Sequence, residues 1–393
     1  MANKVRVGLV YGGRSGEHDV SLQTALAVIR AFDHTKYEIH PFYIDRRGGW
    51  KSGPVLAGPV NSIAELKFDS EVQARLAEKV SAGDDTGAAQ TGTQVVAHAN
   101  ESVKPLPLAH MFASDSGERG LDVVFPLLHG TFGEDGTIQG LLEMADVPYV
   151  GGGVLASAAG MDKVTMKKLF AQEGLPQCMY RHFTRAQWEK DQVFFLMEIE
   201  IALGYPCFIK PANLGSSVGI SKANNRDELI DGIKTAFKYD RKVIVEEFVD
   251  AREIEVAVLG NDDPQASVAG EIVASADFYD YQAKYLDGKS SMVIPADLDP
   301  ELADSIRELA VRAFCAIDGS GLSRVDFFVS RKDSSVMINE INTMPGFTPF
   351  SMYPLLWKES GKSYSELLDD LIALAVERHA EKQKLQFTFD AGR

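Results

Sequence analysis

Residues 4 to 10, KVRVGLV, form a compact apolar run that ends in Gly12 and Gly13, after which the pattern changes to a helical period across Val20 to Phe32. The order this dictates is strand, glycine turn, helix. It recurs downstream. Tyr37 to Ile44 reads as a second strand stopped at Asp45, and Leu121 to Leu128 as a third that runs through HGTFGEDG into a helix from Thr137 to Ala145. Such alternation predicts a parallel sheet with helices on its faces. Because no small-residue cleavage site follows the first apolar run, a buried strand is expected there rather than a targeting peptide.

Between Trp50 and Gly120 the pattern dissolves, most completely in SAGDDTGAAQTGTQVVAHANES, and this segment reads as a mobile surface insertion rather than a functional lid. Pro148 to Gly153 then gives a short strand and glycine turn. A long helical pattern from Val154 to Glu173 follows, stopping at Gly174 and Pro176, and a domain boundary is expected near its start. Tyr205 to Pro211 and Ile220 to Ala223 read as strands joined by the loop ANLGSSVG, with a helix from Asp227 to Phe237, a small α+β module. From Lys242 onward, KVIVEEFV, REIEVAVLG, SVAGEIV, RVDFFVS and SVMINEIN suggest a mainly antiparallel sheet, interrupted by a helix from Glu301 to Ile317. The last helix, Tyr364 to Lys382, aligns Leu367, Leu368, Leu371, Ile372 and Ala375 on one face.

A chain of 393 residues exceeds one compact core, so two or three domains with clefts between them are expected. The net charge of -16 and pI near 5.0 disfavour nucleic acid or an anionic membrane as main partner. Three cysteines, Cys178, Cys207 and Cys315, make no disulfide framework, and no run of about 18 apolar residues marks a membrane span. The expected location is the cytoplasm.

Three segments carry chemistry. In FIKPANLGSSVGISK a strand sets Lys210 beside a Gly-Ser-Ser-Val-Gly turn, which can aim backbone N–H groups and hydroxyls at phosphates while the ammonium offsets their charge. It is not a GxxxxGK[ST] loop, and taken alone it could equally be an ordinary hairpin turn. In KVIVEEFVD, Glu246 to Val249 suit an adenine edge, with Glu253 seven residues after Glu246 and in reach of a ribose. In RVDFFVS and INEINTMPG, Asp326, Glu340 and Asn342 are oxygen ligands on neighbouring strands, and the period of two puts Glu340 and Asn342 on one face. Together they can hold one or two Mg²⁺ ions against a triphosphate. Arg324 shares the face of Asp326, where it can steady an anionic intermediate, form an ion pair with the metal-site carboxylate, or do both.

KPANLGSSVG, EEFVDAREIEV, FYDYQAKY, SRVDFF and NEINTMPGFTPFSM, in that order, resemble the ATP-grasp superfamily. With GGRSGEHDVS, LHGTFGEDGTIQG and GMDK they resemble the D-alanine D-alanine ligase family, from Val5 to about Leu371. The resemblance implies a three-domain ATP-grasp architecture: an N-terminal parallel-sheet substrate domain over 1–155 carrying the insertion at 51–120, a central subdomain over 156–245, and a C-terminal subdomain over 246–393 with a mobile lid at 277–293. It implies ATP, two Mg²⁺ ions with Mn²⁺ able to substitute, D-alanine as substrate, and a homodimer.

By position, Lys163, Lys210 and Lys284 would contact phosphates, Ser216 and Ser217 would sit in the phosphate loop, and Phe278 would pack on adenine. Glu246, Glu247, Phe248 and Val249 would line the adenine edge, Glu253 the ribose, and Asn339 with Glu340 would complete the nucleotide contacts. Glu17 would orient the first D-alanine through Ser216 and Tyr285. Arg324 and the backbone at Gly346 would stabilise the oxyanion, and Ser351 with Met352 would receive the second carboxylate. Met352 stands where the family often has leucine. Tyr285 favours an amine as second nucleophile, since related depsipeptide ligases depart from tyrosine there. His129 lies near the first substrate, either bonded to backbone as a loop histidine or taking part in catalysis. The alternatives are another ATP-grasp amino-acid or peptide ligase and a catalytically silent nucleotide-binding protein. A dehydrogenase is disfavoured because GGRSGEHD lacks GxGxxG.

Overall fold

The computed structural model describes residues 4–68, 120–215, 217–273 and 291–386. The first unit follows the apolar alternation. Strand β1 (Val5–Gly12) leads into helix α1 (His18–Ala31), then β2 (Tyr37–Ile44), the short β3 (Trp50–Ser52) and β4 (Val123–Leu127). Their order is β3-β2-β1-β4, with β1 parallel to both β2 and β4 and only β3 antiparallel at the edge. The α/β expectation therefore holds. Gly12 closes β1 at φ +92°, where a side-chain carbon would lie 2.1 Å from the Ile44 carbonyl oxygen, so glycine is required at that turn.

After α2 (Thr137–Met144) the long helix expected from Val154 is two helices, α3 (Val154–Met161) and α4 (Lys163–Gln172). The break is Asp162, whose backbone is extended at ψ 99° and whose carboxylate accepts the Thr165 N–H at 2.9 Å. An N-cap outcompetes a continuous apolar pattern here. The segment after Pro176, for which the residues gave no expectation, forms β5 (Tyr180–Thr184), α5 (Arg185–Lys190) and α6 (Gln192–Ala202).

Next come β6 (Cys207–Pro211), β7 (Ser221–Ala223), α7 (Arg226–Ala236) and β8 (Lys242–Glu247), giving an antiparallel sheet in the order β5-β8-β6-β7. KVIVEEFV thus belongs to this central sheet and not to the later one. Val243 and Val245 are buried with Ile209, Leu229 and Ile233 in the core of this module, which fixes β8 in place. The third sheet gathers β9 (Ala251–Gly260), β10 (Gln265–Val273), β11 (Ser291–Val293), β12 (Gly321–Ser330) and β13 (Val336–Asn342) in the order β11-β10-β9-β12-β13, antiparallel throughout. Helix α8 (Pro300–Ala316) packs on it through Ile306, Ala310 and Phe314.

Helices α9 (Met352–Glu359) and α10 (Tyr364–Lys382) return to the first sheet. Leu9, Leu22 and Phe125 share one core with Leu259, Phe347, Tyr353 and Leu371, and the Phe125 and Phe347 rings meet edge to face at 5.9 Å. The first and third sheets are therefore joined by a buried core rather than a polar seam. Most of the expected insertion (69–119) and lid (274–290), with Ser216, Phe278, Lys284 and Tyr285, lies outside the described residues.

Candidate active site

The central and third sheets face each other across a cleft of about 520 Å³, a size that suits a small-molecule ligand. Lys163, Lys210, Ser217, Glu246, Glu247, Phe248, Val249, Glu253, Asn339, Glu340 and Asn342 all line it. Residues more than 170 positions apart thus converge on one cavity. Phe208, Ile272, Phe328 and Ile341 supply apolar walls to which no residue-level role had been given.

Lys163 stands at the first position of α4, where the break at Asp162 turns the chain. Its N–H donates to the Ala212 carbonyl at 2.8 Å, and its ammonium lies 3.1 Å from the Leu214 carbonyl and 3.1 Å from Glu340 Oε2. One side chain so ties the glycine loop to β13. In that loop Ser217 takes φ +57°, and turns run from Gly215 to Val218 and from Ser217 to Ile220.

Lys210, on β6, lies 2.5 Å from Glu246 Oε2, and the other oxygen of that carboxylate lies 3.1 Å from Lys167 Nζ. Burial would push the Glu246 carboxyl up, but the two ammoniums overcome it and hold it down at about 2. The Glu246 carboxylate is accordingly engaged with lysines, so an adenine edge here would have to share it. Lys167 was not anticipated from the sequence. Glu247 turns aside to accept the Met179 N–H at 2.7 Å. Phe248 is 40% exposed, with Lys222 Nζ 4.7 Å from its ring centre, and offers a face on which a planar base can stack.

At the far strands, register decides the geometry. Asp326 is opposite Glu340 and Arg324 opposite Asn342, with an irregularity just after Asp326. Arg324 donates from Nε and Nη2 to the two oxygens of Asp326, at 2.7 Å each, and its Nε lies 2.9 Å from Glu255 Oε2 on β9. Burial opposes its charge, yet Asp326 and Glu255 hold the guanidinium well above its ordinary range. The ion pair expected of Arg324 is present. Asn342 Nδ2 reaches Asp326 Oδ2 at 3.1 Å.

Asp326, Glu340 and Asn342 are therefore neighbours on one face, and their donors are hard oxygens, which fits Mg²⁺. Among the described residues no group of three or more His, Cys, Asp or Glu side chains is arranged for a metal.

Glu17 and Glu134 adjoin this end, where the charges of Glu17, Glu340 and Arg324 all act on Glu134. Glu17, at the start of α1, packs against Gly130, whose φ is +72°, and a methyl group there would lie 2.4 Å from Glu17 Oε2. A methyl on Gly215 would lie 3.3 Å from the same oxygen, so Glu17 sits between HGTFGEDG and the glycine loop that follows β6. Glu134, missed in the sequence, lines the cleft and accepts the Gly130 N–H at 2.7 Å; burial first, then the Glu17 charge, hold it well above the usual carboxylate range. An acid two residues before the end of a glycine-rich turn was the available signal.

His129 is buried, with Nε2 3.1 Å from Thr24 Oγ1 and Nδ1 3.2 Å from the Met344 carbonyl. Burial pushes its pKa down despite Glu17. The loop-histidine reading fits these bonds. Gly346 leaves room for Ser351, whose Oγ would be 2.9 Å from a carbon added there, and Ser351 Oγ accepts the Thr348 N–H at 3.0 Å. The Met352 side chain enters the core, so any substrate role rests on its main chain at the first turn of α9, a place suited to a carboxylate.

The family model described as D-ala D-ala ligase N-terminus matches residues 6–152, and that described as D-ala D-ala ligase C-terminus matches residues 169–373. A D-alanine–D-alanine ligase of Bacillus licheniformis is 54% identical over 389 residues, covering 98% of this chain and 100% of that protein. The chain belongs to the D-alanine–D-alanine ligase family. Solved structures of similar proteins agree. The D-alanine–D-alanine ligase of Coxiella burnetii matches with TM-score 0.76 at 32% identity, over 98% of this chain and 97% of that one. The VanG D-Ala:D-Ser ligase of Enterococcus faecalis matches with TM-score 0.76 at 34% identity, over 95% and 100%. The ATP-grasp fold expected from the resemblance is the fold of these family members. The stretch between the two family models, 153–168, contains the break between α3 and α4.

Proposed function

We propose that this member of the D-alanine–D-alanine ligase family uses ATP to join two D-alanines into D-alanyl-D-alanine, a precursor of peptidoglycan. The observation that carries the reading is the convergence of Lys163, Lys210 and Glu340 on one cleft whose end adjoins Arg324, Glu17 and Glu134.

A carboxylate does not react with an amine at neutral pH, so its oxygen must first become a leaving group. In the cleft Lys163 and Lys210 offset charge on the triphosphate, and Ser216, Ser217 and Lys284 hold the transferring phosphoryl group. The carboxylate oxygen of the first D-alanine attacks the γ-phosphorus, giving D-alanyl phosphate and ADP. Glu17, with Ser216 and Tyr285, orients that alanine. The amine of the second alanine then attacks the carbonyl carbon and expels phosphate, while Arg324 and the Gly346 backbone steady the oxyanion, and the first turn of α9 holds the second carboxylate. Phe248 and Phe278 enclose the base and Glu253 meets the ribose. A divalent cation held by Asp326, Glu340 and Asn342 would supply further charge neutralisation to the phosphates. We assign two Mg²⁺ ions, replaceable by Mn²⁺.

The remaining parts of the proposal are a cytoplasmic homodimer and domains at 1–155, 156–245 and 246–393. Among the described residues no helix is long and apolar enough to cross a membrane. Phosphate release from ATP, compared for D-alanine, L-alanine, D-serine and D-lactate, tests the substrate. D-alanine is expected to stimulate most. A preference for D-serine or D-lactate as second substrate would move the chain to another ligase of this fold, and no stimulation by any of the four would favour a silent nucleotide-binding protein.

A further inference from the structure

Behind the wall of the cleft lies a charge that the ligase reading does not by itself require. Lys167, one turn after Lys163 on α4, is completely buried. Its ammonium is 3.1 Å from Glu246 Oε1, 3.6 Å from Cys178 Sγ and 5.7 Å from the centre of the Tyr180 ring. Glu246 is already paired with Lys210 through its other oxygen at 2.5 Å. Removing an ammonium from water is expensive, and a well-packed apolar residue at such a position is often at least as stabilising. Seating Glu246 beside Lys210 therefore leaves the second lysine unexplained.

Counting charges gives it a purpose. Glu246 with Lys210 alone sums to zero. Adding Lys167 makes the cluster +1, because burial fails to neutralise any of the three: the two lysines stay above their ordinary range and Glu246 stays at about 2. Glu340, which also acts on Lys210, has its own cation in Lys163 at 3.1 Å. The Lys210 side chain is 11% exposed, that of Glu246 3% and that of Lys167 not at all. The surplus charge therefore meets the cleft through Lys210.

We propose that Lys167 is a positioning residue for a polyanionic ligand, keeping Glu246 from cancelling Lys210 so that a full positive charge faces the phosphates of a nucleotide in the cleft. The inference rests on the nucleotide reading given above. It concerns charge and not shape, so its effect scales with the number of phosphates.

Calorimetric titration of the full chain with ATP and with adenosine separates the two. For Lys167→Met the ATP Kd is expected to rise about tenfold, the scale of one unit charge roughly 12 Å from a phosphate at a protein-surface dielectric. The adenosine Kd should stay within about twofold, and Lys167→Arg should bind ATP nearly as wild type does. The double variant Lys167→Met with Glu246→Gln restores the count to +1 and leaves no unbalanced carboxylate, so it keeps the test open where the single variant does not fold. Its ratio of ATP to adenosine affinity is expected within about threefold of wild type. An equal loss for adenosine and ATP in Lys167→Met, an unchanged ATP Kd in that folded variant, or no recovery of the ratio in the double variant would each overturn the proposal. Absence of ATP binding by the wild type would overturn the nucleotide reading itself, and this inference with it.

Discussion

Lys163 Nζ lies 3.1 Å from Glu340 Oε2, linking the first residue of α4 on one side of the cleft to β13 on the other. The pair combines a cation suited to a phosphate with a carboxylate suited to a divalent ion. Lys163→Met is expected to lower kcat/KM for ATP by about 100-fold, the scale of losing one electrostatic contact to a reacting group. Stability should change little, since Glu340 keeps access to solvent, and thermal melting beside steady-state phosphate release checks both.

Asp162 sets where Lys163 begins. Its carboxylate caps Thr165 at 2.9 Å and pairs with Lys242 at 2.5 Å. Asp162→Ala loses both and should cost about 2 kcal/mol in urea unfolding. Asp162→Asn keeps the cap and should cost less. An Ala variant as stable as wild type would mean that the break between α3 and α4 is held by something else.

Gly130 is constrained twice, by its φ of +72° and by Glu17 Oε2, 2.4 Å from any added carbon. Gly130→Ala should destabilise by about 1–2 kcal/mol and raise the KM for D-alanine, with the Kd for ATP nearly unchanged. Equal losses for both substrates would contradict the placement of Glu17 on the amino-acid side.

Glu246 predicts a pH dependence. Its folded pKa of about 2 lies below its ordinary value of 4.5, so the unfolded chain binds the proton more readily and stability rises with pH between the two. The contribution, about 3 kcal/mol at 1.36 kcal/mol per unit, is complete above pH 4.5 and is lost as pH falls through about 2. Glu246→Gln should therefore show a shallower fall of unfolding free energy between pH 5 and pH 3. A parallel fall in both proteins would remove Glu246 from the linkage.

How far the sequence alone reaches depends on whether a feature is local. Lys210 could be found because it precedes a glycine-rich turn, and Glu340 with Asn342, like Arg324 with Asp326, because a strand's period of two announces which side chains share a face. The pairing of Asp326 with Glu340 and of Arg324 with Asn342 is a matter of register between strands, which spacing along one strand does not supply. Lys167 escaped because a lysine four residues after another on a helix usually faces solvent, and its burial depends on Glu246, 79 positions away. The helix break was signalled only by an Asp three residues before Thr165, within a pattern that otherwise continues. Thr184 and Gln187 form a capping box that would have announced α5, the spacing being that of a helix start. The resemblance carried the roles of Glu17 and Gly346, for which no period or motif chemistry speaks.

The central claim is that the cleft turns a carboxylate of D-alanine into an acyl phosphate. D-Alanine labelled with ¹⁸O in its carboxylate, incubated with the enzyme and ATP, measures it directly by mass analysis of the released phosphate. One labelled oxygen should pass into each phosphate as D-alanyl-D-alanine forms, because the oxygen that attacks phosphorus leaves with it. Phosphate released without label, its new oxygen drawn from water, would contradict the account.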